Sequence, residues 1–264
     1  MRKFFKGLYL FAVLTFLYAP IVVMIVYSFN DSKSRAVWGG FTLDWYGELF
    51  HSETIMNAVW VTLRIGVLSA VLATVLGTLA AIGMHAMKTR PRAVLTNLSY
   101  LPMTMPDIVT GVSLMLMFIE TKFPLGFFTM LLAHISFNVP HVIFSVLPKL
   151  QQMDQNMYEA ALDLGATPTQ ALWKIILPEV RPGMMTGLLL SFTLSIDDFV
   201  ISYFTTSTEV NLSTLVYSMA RMGINPSLNA LSAIMFIAVL VLMLIINRRT
   251  NIITGEQARE QTGI

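Results

Sequence analysis

The sequence predicts an all-α membrane protein of six transmembrane helices, and three observations carry the prediction. Of 264 residues, 55% are apolar or aromatic and only 12% are Asp, Glu, Lys or Arg, about half of the roughly 25% usual in soluble domains. The mean hydropathy is +0.68. The apolar residues gather in six runs, each near the ~20 residues that a helix needs to cross the hydrocarbon core. An ordinary soluble domain and a disordered chain are excluded, since there is too little charge for the surface of the first and too much apolar residue for the second. A net charge of +2 is too small to suggest nucleic-acid binding. The absence of cysteine excludes a disulfide framework, thiol chemistry and Cys-based metal sites.

The first run, residues 8–29, follows Arg2, Lys3 and Lys6. It exceeds the ~7–15-residue core of a signal peptide and no small-x-small cleavage pattern follows, so a retained helix is expected. The second run is residues 58–87, with Arg64 near its start. The third, residues 93–119, is interrupted by Pro102, Pro106 and Asp107, and the prolines predict a kink. The fourth is residues 123–147. The fifth is residues 183–204, with Asp197 and Asp198 inside, and the sixth is residues 222–247. With the N-terminus inside, the inner segments hold Arg2, Lys3, Lys6, Lys88, Arg90, Arg92, Lys149, Lys174, Arg181, Arg248, Arg249 and Arg259, which is 12 of the 17 basic residues. Lys33, Arg35, Lys122 and Arg221 fall outside, with Arg64 near that surface. This bias predicts cytoplasmic N- and C-termini. The expected organisation is an N-terminal helix and outer loop over 1–57, a transmembrane domain over 58–247 and a cytoplasmic tail over 248–264.

Two loops are long enough to carry structure. The outer one, residues 30–57, places Trp38, Phe41, Trp45, Tyr46 and Phe50 among polar residues. It reads as an interfacial aromatic belt with a short surface helix, contact with an outer partner protein being the alternative. The inner one, residues 151–182, is punctuated by capping residues. Asp154 is an N-cap for a helix through Asp163, and Gly165 is its C-terminal stop. Thr167 is a second N-cap, with Pro168 at the first helical position and Gln170 completing a capping box. That helix is expected to run to about Ile176 and to end at Pro178, with Pro182 and Gly183 leading into the fifth crossing.

Within this loop, Glu159-Ala160-Ala161, three residues, Gly165, nine residues and Ile175-x-Leu177-Pro178 resemble the EAA loop of binding-protein-dependent ABC importer permeases. Thr42 to Tyr46, Pro106-Asp107-Ile108-Val109, Ser191 to Asp198 and Gly223-Ile224-Asn225-Pro226 are similar to the spermidine/putrescine permeases, specifically the second of their two membrane subunits. The resemblance implies a multi-pass protein of the bacterial inner membrane that pairs with a second, homologous permease. Two ATPase subunits bind beneath, and an extracytoplasmic substrate-binding protein delivers the cargo. It also implies that Glu159, Ala160, Ala161, Gly165, Ile175, Leu177 and Pro178 form the coupling element. Glu159 would meet basic residues of the ATPase, Gly165 would permit the tight turn, and the two alanines would keep the docking surface small. The chain is not expected to be an enzyme or to bind a cofactor. It contains no G-x-x-x-x-G-K-[ST] sequence, so ATP and Mg would sit on the partner ATPase.

Three acids lie in apolar runs, where a charge costs roughly 2.5–3.5 kcal/mol at the bilayer centre by insertion scales. On the fifth run, Ser191, Ser195, Asp198 and Ser202 share one helical stripe, while Asp197 is turned ~100° away. A polyamine is a chain of ammonium groups, whose partners are carboxylates and aromatic faces. Asp198, Asp107 and Asp197, with Ser195 and Tyr203, are therefore the expected cation path. The alternative is that these acids cap helices or pair with Arg221 or Arg64. His134 and His141, seven apart, share a face of the fourth run but lack further ligands for a metal. A self-contained secondary cation transporter would show internal repeats, and none is found. An intramembrane enzyme would draw a Ser–His pair from His134 or His141 with Ser191 or Ser195, or an aspartyl dyad from Asp107 with Asp197 or Asp198. Neither carries a supporting motif.

Overall fold

The computed structural model describes residues 2–32, 37–222 and 226–241. Their order is α1 (Arg2–Tyr27), α2 (Asp44–His51), α3 (Glu53–Ala86), α4 (Thr89–Thr104), α5 (Asp107–Glu120), α6 (Phe127–Gln152), α7 (Gln155–Asp163), α8 (Pro168–Ala171), α9 (Leu177–Asp197), α10 (Val200–Thr205), α11 (Leu212–Met222) and α12 (Pro226–Val241). The β pairing among the described residues is one isolated bridge, Asn30 to Phe41. Lys33, Arg35, Gly223, Ile224, Asn225, the end of the sixth run, Arg248, Arg249, Arg259 and the tail 248–264 lie outside the described residues.

Lys6–Tyr27 of α1, all of α3 and all of α6 are long and apolar enough to cross a membrane, and α4 with α5 form a fourth span when taken as one broken helix. The kink expected in the third run is a break, at which its two halves meet at 103°. Pro106 forces Met105 into extended backbone, with ψ 145°, and α5 restarts at Asp107, whose carboxylate suits a helix N-terminus. Pro102, by contrast, lies inside α4. The fifth run is not one helix either. It divides into α9 and α10, since Asp198 is extended, with φ −67° and ψ 120°.

Two compact units divide the chain, Met1–Met56 with Val216–Ile264, and Asn57–Leu215. In the first, the apolar side chains of α1 point outward along its span. The following loop is folded around buried Asn30. Its Nδ2 donates to Val37 O at 3.0 Å, its Oδ1 accepts from Gly39 N at 2.8 Å, and Trp45 Nε1 donates to Asn30 O at 2.8 Å. Phe29 stacks on Phe41 with ring centroids 5.3 Å apart. The expected surface helix is α2.

In the second unit, α3, α6 and α9 enclose a core of Ala73, Ala81, Met84, Val142, Val146, Leu150 and Val180. Glycine sets how closely they approach. A Cβ on Gly77 would lie 2.6 Å from Val142 Cβ, and one on Gly183 would lie 2.7 Å from the backbone oxygen of Ser145. Gly183, Gly187, Ser191 and Ser195 recur every four residues and are all buried, the small-residue stripe by which helices pack in a membrane. Beside this core, α5 packs on α10, with Gly111 against Phe204, Val200 and Ile201.

Candidate functional site

In the loop over 151–182, the carboxylate of Asp154 accepts from Asn156 N at 2.9 Å and caps α7. Glu159 and Ala160 are exposed on that helix and Ala161 is half-buried. The helix ends in a paired carbonyl clasp: Gly165 N donates to Leu162 O at 2.9 Å and Ala166 N to Ala161 O at 3.0 Å. This is the Schellman arrangement, and it needs a left-handed residue at its second-last position. Gly165 supplies it with φ +88°. Thr167 and Gln170 then close a reciprocal capping box, at 3.0 and 3.3 Å, with Pro168 at the helix start.

The expected stop at Pro178 is corrected. The chain stays helical from Pro168 to Asp197, passing through a π turn over Leu172–Ile176 in which Leu177 N reaches back five residues to Leu172 O. A proline in a regular helix leaves one carbonyl without its donor and clashes with it. The wide turn lies just before Pro178, where that mismatch is absorbed, and Pro178 becomes an early residue of α9. Ile175 is half-buried and Pro178 exposed, while Ile176 and Leu177 pack on the α3–α6–α9 core. The loop is therefore tied rigidly to the long helices. A cavity of about 440 Å³ is lined by Tyr158 and Glu159 of α7 with His85, Leu150, Pro168 and Leu172, among others.

The acids fall into two environments. Asp107 and Asp197 are exposed, the first at the start of α5 and the second at the end of α9. Asp198 has a side chain only 9% exposed. Its Oδ1 accepts from Ile201 N at 3.2 Å, and its Oδ2 accepts from Ser202 N at 2.8 Å and Ser202 Oγ at 3.0 Å. It thus caps α10. Buried His134 places Nε2 2.9 Å from Ser202 Oγ and 3.5 Å from Asp198 Oδ2. Asn211 Nδ2 donates to Ser202 Oγ at 2.8 Å and approaches Asp198 O at 3.4 Å. Ser195 is committed elsewhere. Its hydroxyl lies 2.9 Å from Ser69 Oγ and accepts from Asn138 Nδ2 at 2.8 Å, which joins α3, α6 and α9. Tyr203 is half-exposed between Phe199 and Phe204, each 5.4 Å away.

The stripe predicted on the fifth run does come together at Asp198 and Ser202, but through a break in the helix. The Ser–His pairing formed is His134 with Ser202, not with Ser191 or Ser195. It is not a hydrolase triad, since carboxylate and hydroxyl both address the same ring nitrogen instead of its two sides. His141 Nδ1 lies 3.0 Å from its own helix's Phe137 O, and among the described residues no three His, Cys, Asp or Glu are grouped as for a metal. Sequence reasoning missed Asn138, Asn211 and Ser69. Asn211 had a readable signal, for it forms a capping box with Thr214 at the start of α11.

Residues 73–254 match the family described as "Binding-protein-dependent transport system inner membrane component". The chain is 37% identical over 254 residues to the spermidine/putrescine transport system permease protein PotC of Haemophilus influenzae, covering 95% of this chain and 99% of that one. It is 36% identical over 262 residues to PotC of Escherichia coli, covering 99% and 98%. To the putrescine transport system permease protein PotI of Escherichia coli it is 39% identical over 233 residues, covering 85% and 83%. Among solved structures, it shares its fold with a bacterial ABC transporter involved in the import of the acidic polysaccharide alginate, at TM-score 0.75 and 15% identity over 93% of this chain and 95% of that one. An amino acid ABC transporter with histidines matches at TM-score 0.56 and 16% identity, over 79% and 100%.

Proposed function

The chain belongs to the binding-protein-dependent family of ABC importer permeases, and from that premise we propose that the cargo it passes is a polyamine of the spermidine or putrescine class. The observation that carries this reading is the 36–39% identity to permeases named for those amines, over 85–99% of the chain. The chemistry of the acids supports it. A polyamine's ammonium groups titrate near ~10, like lysine, so the cargo is a flexible polycation. The path runs past Asp107, Asp197 and Asp198, with the Tyr203 ring beside them and Ser195 in the helix behind. The packing of α5 against α10 at Gly111 supports bringing both interrupted helices to one region, about a turn from each break.

In the same reading, six crossings span the bacterial inner membrane with both termini in the cytoplasm. The permease sits beside a second, homologous permease, above an ATPase dimer that holds ATP and Mg, and receives cargo from an outer binding protein. Glu159, Ala160, Ala161 and Gly165 present the loop to the ATPase, while Ile175, Leu177 and Pro178 join it to α9. The chain itself hydrolyses nothing.

Uptake of labelled spermidine and putrescine by the assembled importer in vesicles tests this. ATP-dependent uptake of either amine, lost when the ATPase's nucleotide site is disabled and lowered by Asp107→Asn or Asp197→Asn at equal expression, is the expected result. Uptake of neither amine, with ATPase activity intact, rejects the cargo assignment. Uptake indifferent to the two substitutions rejects the path.

A further inference from the structure

Two consecutive acids at a helix break do different work here. Asp198 has both carboxylate oxygens engaged, by Ile201 N, Ser202 N and Ser202 Oγ. The hydroxyl of Ser202 has one proton, and a carboxylate can only accept, so that proton lies toward Asp198 Oδ2. The hydroxyl oxygen then accepts from its other two neighbours, Asn211 Nδ2 at 2.8 Å and His134 Nε2 at 2.9 Å, which places a proton on His134 Nε2. Three elements thus converge on one oxygen: α6 through His134, α10 through Ser202 and the start of α11 through Asn211. All three side chains are 2% exposed or less. Asp197, one residue earlier, is exposed. It stands at the C-terminal end of α9, where the helix dipole adds negative potential.

We infer that His134, Ser202 and Asn211 are positioning residues for cation passage: they hold the Asp198 carboxylate as the fixed stem of the break, so that Asp197 is the acid that meets the cargo. The inference rests on the cargo being a cation. Asp198 neutralises the start of α10, and although the path runs beside it, its engaged carboxylate is withheld from the cargo. Its role is to fix the angle at which α9 ends and to keep Asp197 facing out.

Two variants of similar bulk separate a hydrogen-bonding role from packing. His134→Gln keeps an N–H donor and His134→Leu does not. In the assembled importer, His134→Leu is expected to raise the apparent KM for spermidine about fivefold, the size of one ordinary hydrogen bond, while His134→Gln restores it to near the parent value. Equal behaviour of the two variants, or an unchanged KM in both, overturns the inference. Should His134→Leu not assemble, Ser202→Ala against Ser202→Thr is read in the same way. A second readout needs no cargo. The chain has no native cysteine, so single Asp197→Cys and Asp198→Cys variants can be labelled with a cationic thiol reagent and followed on this subunit. Position 197 is expected to react about tenfold faster or more, and equal rates refute the division of roles. If spermidine is not transported at all, the labelling rates still decide between the two acids, and only the cargo assignment falls.

Discussion

Substituting Gly165 by alanine isolates the backbone cost of the turn in the loop proposed to couple to the ATPase. A Cβ at this position would meet nothing within 4 Å, so no neighbour has to move, but the residue sits at φ +88°. The left-handed region costs an L-residue roughly 1–2 kcal/mol, which lowers the population of the native turn by a factor of about 5–30. The two amides of the clasp, Gly165 N and Ala166 N, report that population directly. Hydrogen exchange at position 166 in Gly165→Ala is expected to lose protection by about that factor, with thermal unfolding of the long helices little changed. Because the turn links α7 to the helix that continues into the core, uptake falls while ATP hydrolysis persists. Asparagine tolerates the same backbone region better than alanine, so Gly165→Asn is expected to lie between the two. Unchanged protection and uptake in Gly165→Ala, or a larger loss in Gly165→Asn than in Gly165→Ala, would refute the reasoning.

Gly183→Ala puts a methyl 2.7 Å from a backbone oxygen of α6; overpacking of about 1–3 kcal/mol should lower the thermal midpoint, whereas Gly83→Ala, with nothing within 4 Å, should not lower it. Thr167→Ala removes an N-cap and half of a capping box, and a loss of ~1 kcal/mol is expected as faster exchange of the amides of residues 169–171. Ser195→Ala leaves Asn138 with only its 3.4 Å contact to Ser69. A destabilisation of about 0.6 kcal/mol, and no more than ~1.7, follows from intramembrane hydrogen bonds and is read in the thermal midpoint. A changed KM with an unchanged midpoint would instead put that hydroxyl on the cargo.

What could be read from the sequence was local. Asp154, Gly165, Thr167, Pro168 and Gln170 act within four residues of themselves, and each stands where its spacing placed it. Pro178 misled because the rule that proline ends a helix assumes 3.6 residues per turn, and one wide turn upstream removes the conflict. The break after Asp197 was hidden for another reason: the segment that follows, Phe199 to Phe204, is as apolar as the helix before it, so hydropathy runs straight through. The brace on Asp198 depends on His134, 64 residues earlier in the chain, and on Asn211, 13 later. No periodicity within one helix couples such positions, so the sequence stripe placed Asp198 beside Ser202 without revealing what else held it.

The π turn at Leu172–Ile176 sets the rotational phase between the two ends of one rod. Each residue advances an ordinary helix by about 100°, so one residue more or fewer in the regular stretch would swing the face presented by Pro168, Thr169 and Gln170 about a quarter-turn around the axis relative to the Gly183–Gly187–Ser191–Ser195 stripe, and the wide turn is where one extra residue is taken up without that swing. The loop's face and the packing face are thus indexed to each other by a single turn. Deleting one residue there would return the turn to ordinary helix with the two faces nearly in phase, whereas a deletion in the regular helix would point the loop at a different part of whatever lies beneath. Sequence length between residues 168 and 183 is in this sense an angular setting, and a one-residue insertion elsewhere in the stretch could restore it.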